Sequence, residues 1–74
     1  MTAEQPALVT CYSGHTYAQR PRAVQWQGLW QDILAITADW HTPEGRTFRV
    51  LTANGHRLEL HYRAADDCWA AAST

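Results

Sequence analysis

The stretch RTFRVLTANGHRLELHYR, residues 46–63, constrains the fold of this chain more than any other. Phe48 and Val50 alternate with Arg49, and Leu58, Leu60 and Tyr62 alternate with Arg57, Glu59, His61 and Arg63. Successive side chains on a strand point to opposite faces, so the pattern predicts two strands with one dry and one wet face. Asn54-Gly55 between them signals a hairpin. A two-residue turn there sets Val50 against Glu59 and Phe48 against His61, mixing apolar and charged groups on one face. A three-residue loop, Ala53-Asn54-Gly55, sets Val50 against Leu58, Phe48 against Leu60 and Arg49 against Glu59. A slip of one residue exchanges the two faces. The three-residue loop is therefore expected, with Gly55 left-handed in a bulge.

The stretch QWQGLWQDIL, residues 25–34, reads two ways. As a helix it places Trp26, Leu29, Trp30, Ile33 and Leu34 on one stripe, which gives an α+β alternative with a helix at 22–38. As strand, bend and strand, Gly28 makes the corner. Gly28 inside a helix costs about 1 kcal/mol relative to Ala. No Ser, Thr, Asp or Asn stands just before Pro21 to cap a helix. The downstream DILAITADW has the β-branched content of a strand. The strand reading is preferred. In WHTPEGRTF, residues 40–48, Pro43 suits a turn, Gly45 is expected to take positive φ, and Trp40 is expected to pair with Phe48 across strands.

The predicted fold is all-β: a small antiparallel meander curled into a partly open SH3-like barrel. Its strands are expected at about 7–13, 22–27, 30–40, 46–53, 56–63 and 68–72, with a loop at 15–22 and a turn at Asp66-Asp67. Residues 1–6 are expected to form a flexible leader, 7–72 one domain and 73–74 a tail. The expected core is Leu8, Val24, Trp26, Ile33, Ile36, Trp40, Phe48, Val50, Leu58, Leu60, Tyr62 and Trp69.

The series Val24, Trp26 and Gly28, then Ile33 and Ile36, Trp40, FRV, Gly55, LELHY and Trp69 resembles a family of short bacterial domains of unknown function. That family shows a W-x-G corner followed by a W…F-x-V…G…E-L-x-Y…W series. The match covers about residues 22–72 and rests on core and turn positions, so it speaks to fold. This chain is less basic around its central Trp. Some members are encoded beside error-prone DNA polymerase genes, and the resemblance thereby implies an accessory role in DNA repair. No binding residue carries over.

Size makes the aromatic residues important. A chain of 74 residues buries only about 60% of the surface it exposes when unfolded. Four Trp, three Tyr and one Phe supply large buried areas. The net charge of −1 creates no field that draws the chain to nucleic acid or an anionic membrane. No run approaches the roughly 20 apolar residues of a membrane span. MTAEQP has no signal-peptide pattern, and a cytoplasmic location with Cys11 and Cys68 reduced is expected. The two sulfurs could meet if the first and last strands pair.

No motif points to catalysis. His15, His41, His56 and His61 form no metal spacing with the cysteines, so no metal or other cofactor is expected. Asp66 and Asp67 diverge as neighbours in a turn. Ser13-Gly14-His15 lacks a nucleophile elbow, and no phosphate-cradling glycine loop occurs. The leading expectation is a non-catalytic interaction module that contacts an unknown protein partner. The contact would run through an edge strand or an aromatic rim of Trp30, Tyr17 and Tyr12, with self-association through the edge as a variant. The alternative is an accessory nucleic-acid-binding domain that uses Arg20, Arg22, Arg49, Arg57 and Arg63, with rings stacking on bases.

Overall fold

The computed structural model describes residues 4–11 and 20–74. The expectations placed on Tyr12, Ser13-Gly14, His15, Tyr17 and the Cys11 side chain fall outside these residues. Six strands follow one another: β1 (Gln5–Cys11), β2 (Pro21–Trp26), β3 (Leu29–Thr42), β4 (Gly45–Thr52), β5 (Arg57–Arg63) and β6 (Cys68–Ser73). All neighbours are antiparallel, and β1 pairs with β6 to close the ring. The helix at 22–38 is absent. Its place is taken by β2, a bend and β3, because Gln27 and Gly28 both take positive φ, at 52° and 82°. Two such residues between Trp26 and its partner Leu29 make the tight turn that the right-handed twist of a hairpin favours.

The central hairpin has the register that alternation requires. Val50 faces Leu58, Phe48 faces Leu60 and Arg49 faces Glu59. Thr52 N donates to His56 O at 2.9 Å, which leaves Ala53, Asn54 and Gly55 as the loop, and Gly55 has φ of 85°. Gly45 differs from expectation: it is not among the positive-φ glycines. Its role is close approach, since an added Cβ would press on the Tyr62 carbonyl of β5.

Two strands each serve two sheets. Leu8–Cys11 of β1 pair with β2, whose other side pairs with Leu29–Asp32 of β3; these make a three-stranded sheet. Gln5–Ala7 of β1 pair with β6, and Ile33–Thr42 of β3 pair with β4; with β5 these make a five-stranded sheet. Strands that pass between sheets through bulges form the corners of such barrels. In β3 the register against β4 slips between Ile33 and Ala35, and again between Ile36 and Ala38.

The core comprises Val24, Trp26, Phe48, Val50, Leu58, Leu60 and Ala71, with Ala7, Val9, Ile33, Ile36 and Trp69 packed against it. Tyr62 is buried as well. Two expected core residues lie outside. Leu8 is 60% exposed, because Ala7 and Val9, on either side of it, take the inward positions. Trp40 is 38% exposed, because the second slip in β3 reverses its face; Asp39 lies opposite Phe48, and Trp40 lies opposite Thr47. The expected Trp40–Phe48 pair is therefore absent, and Phe48 packs on Trp69 instead, with ring centroids 5.8 Å apart. Gln5 and Pro6, expected in the leader, belong to β1.

Candidate functional site

The outer faces of the two sheets differ in chemistry. On the three-stranded sheet, Leu8, Gln25 and Trp30 form one row, since Leu8 pairs with Gln25 and Gln25 with Trp30. Paired residues share a face in an antiparallel sheet. The next row is Thr10, Ala23 and Asp32. Trp30 is 51% exposed, and Leu29 and Leu34 on the same part of β3 are also open to solvent. Of these exposed apolar side chains, Leu8 of β1 and Trp30 of β3 share the outer face, with Gln25 of β2 between them. Of the sequence-expected rim, Trp30 stands where it was expected, while Tyr12 and Tyr17 lie outside the described residues.

The five-stranded sheet carries a set of ion pairs. Trp40, Thr47, His61, Ala70 and Pro6 form a row across all five strands. Thr47 faces outward and is still only 1% exposed, held between Trp40 and His61. Its Oγ1 lies 2.8 Å from His61 Nδ1. His61 Nε2 lies 3.1 Å from Glu59 and 3.3 Å from Glu4. Glu59 accepts from Arg49 Nε at 3.0 Å, and the Arg49 guanidinium sits 5.5 Å from the Trp40 ring centroid. At the barrel end, Arg46 contacts Asp39 at 3.1 Å and lies 4.9 Å from the Phe48 centroid. Arg63 contacts Asp66 at 3.0 Å.

These pairs change the reading of the basic residues. Arg49 and Arg63 each meet a carboxylate, so the wet face is a mixture of signs rather than a basic stripe. Exposed pairs of this kind stabilise by about 0.2–1 kcal/mol each. Arg20 immediately precedes β2 and Arg22 lies in it, and β2 pairs with β1 and β3 and not with β4 or β5. The structure therefore does not gather the five arginines on one face.

One polar cluster was not legible in the sequence. Gln31 is 2% exposed, on the inner face opposite Val24. Its Oε1 lies 3.0 Å from His56 Nδ1, and His56 N donates to the buried Thr52 Oγ1 at 3.1 Å. Buried polar groups require such partners. Among the described residues, no three His, Cys, Asp or Glu side chains are grouped to hold a metal ion.

No protein-family model, curated protein or solved structure matches the chain. Among the described residues no helix is long and apolar enough to cross a membrane.

Proposed function

We propose that the domain is a non-catalytic interaction module that binds a protein partner through the outer face of the three-stranded sheet, with Trp30 as the anchor. The observation that carries this reading is the row Leu8–Gln25–Trp30 on the outer face of that sheet, whose two apolar ends, Leu8 and Trp30, are both exposed. Tryptophan is enriched among residues that dominate binding energy, and contiguous exposed apolar groups mark interaction sites. Ring closure supports the rim over the edge as the route of contact, because a closed barrel has few free edges to pair with. The reading includes a cytoplasmic setting and no catalytic role.

Trp30→Ala is expected to leave the thermal midpoint nearly unchanged, since surface substitutions usually shift stability by less than about 0.5 kcal/mol. Pull-downs from the native cell would compare the wild type, Trp30→Ala and Arg63→Gln. A defined partner held by the wild type and by Arg63→Gln, and lost with Trp30→Ala, supports the reading. Equal capture by all three removes it.

A further inference from the structure

The five-stranded sheet carries a second feature, independent of the Trp30 face. Arg49 lies opposite Glu59 and Arg57 opposite Leu51, so the two arginines are diagonal neighbours on the outer face of β4 and β5. Diagonal positions on one face are about 7–8 Å apart, within common reach of long side chains. A groove of about 410 Å³ lies at this diagonal, lined by Thr37, Arg49, Leu51, Arg57, Leu58 and Thr74 among others. A second groove of about 310 Å³ runs over Trp26, His56 and Ser73 and shares Arg57, Leu58 and Thr74 with the first. Arg57 thus stands on the ridge between two depressions.

The backbone of both arginines is fixed. Thr37 Oγ1 donates to the Arg49 carbonyl at 3.2 Å, and Thr74 N donates to the Arg57 carbonyl at 3.0 Å. Their side chains differ in occupation. Arg49 spends Nε on Glu59. Arg46, Arg49 and Arg63 each meet a carboxylate. Among the described residues, no carboxylate or ring meets the Arg57 guanidinium. A planar fork of N–H donors beside a groove that Arg49 also lines matches the oxygens of a phosphate or carboxylate.

We infer that the groove between Arg49 and Arg57 is a binding site for a compact oxyanion, a phosphate or carboxylate group, with Arg57 as the principal donor and the terminal nitrogens of Arg49 as the second. The test is a titration of the full chain with inorganic phosphate, followed by backbone and arginine side-chain NMR signals. Ionic strength is held near 0.01 M, where the Debye length is about 30 Å. Saturable shifts are expected at Thr37, Arg49 and Arg57. Arg57→Gln should weaken binding by about tenfold, the loss of one charge-assisted contact. Arg63→Gln should bind as the wild type does. Acetate distinguishes the sources: tighter binding of acetate than of phosphate assigns a carboxylate ligand, and tighter binding of phosphate assigns a phosphate. Shifts that do not saturate, that chloride reproduces, or that persist unchanged in Arg57→Gln would overturn the site.

Discussion

Gly45→Ala is expected to destabilise the domain by about 3 kcal/mol or more, at or beyond the upper end of the usual range for overpacking. Gly45 opens β4 and pairs with Arg63, where the chain has just turned at Pro43-Glu44. An alanine Cβ there would lie far inside the 3.0 Å limit from the Tyr62 carbonyl oxygen, and also 3.2 Å from Ala64 N. Both obstacles are backbone of β5 and its exit, so no rotamer change relieves the overlap. Relief requires β4 and β5 to part, which strains the adjoining bond from Ala64 N to Glu44 O, 2.9 Å long. At about 0.05–0.15 kcal/mol per residue, a domain of this size holds only about 4–11 kcal/mol in total. Gly28→Ala is the matched control. Gly28 has φ of 82° with nothing within 4 Å of an added Cβ, so that substitution carries only the left-handed backbone cost of about 1–2 kcal/mol. Urea denaturation of the three proteins measures both. A Gly45→Ala midpoint at or above that of Gly28→Ala would show that the two strands do not approach as described.

Phe48→Ala is expected to cost about 3–5 kcal/mol, the range for truncating a buried aromatic residue. Phe48 is 1% exposed and touches three parts of the barrel. It stacks at a tilt on Trp69 of β6, it faces Leu60 of β5, and the Arg46 guanidinium covers its ring. The cavity left by alanine would be walled by strands already hydrogen-bonded on both sides, which limits collapse. Phe48→Leu, which keeps most of the volume, should retain a cooperative transition with a smaller loss. Near-UV circular dichroism gives a second reading, since the Phe48–Trp69–Tyr62 contacts fix the aromatic environment. An alanine variant that melts within about 1 kcal/mol of the wild type would mean that Phe48 is not a keystone of the core.

The legible parts of the fold were those where one period runs without interruption. From Phe48 to Tyr62 the alternation continues on both sides of the loop, and it specified the loop length, the facing pairs and the buried set. The corner at Gly28 was legible because glycine is costly in a helix and ready for positive φ. What failed was phase. The two slips in β3 each insert a residue and each reverse the inside and outside positions, so a Trp six residues after the first slip could not be placed by counting. Neither Leu34 nor Thr37 has a composition that announces a bulge. Leu8 failed for another reason: Ala7, Leu8 and Val9 are an unbroken apolar run with no alternation to set the phase, and Ala7 and Val9 take the inward positions. Gln31 was missed because a buried amide is recognised by its partner, and His56 is 25 residues away. Of the candidate surface, Trp30 was expected at a rim and is exposed. Its alignment with Leu8 required knowledge of two strand registers.

The joint between β1 and β6 contains only three residue pairs, against seven between β4 and β5, and the middle pair is Pro6 with Ala70. Proline offers no N–H, so this contact is weaker than its length suggests. It also unites segments from opposite ends of the polypeptide, which makes it the most non-local step of assembly and the slowest kind to form. The native ensemble should therefore include a minor species in which this clasp has sprung while the four central strands stay intact. Native-state amide exchange would register it as early deuteration at Ala7 and Ala71 with Phe48 and Leu60 still protected; equal protection at all four would mean that the ring opens only when the whole domain unfolds.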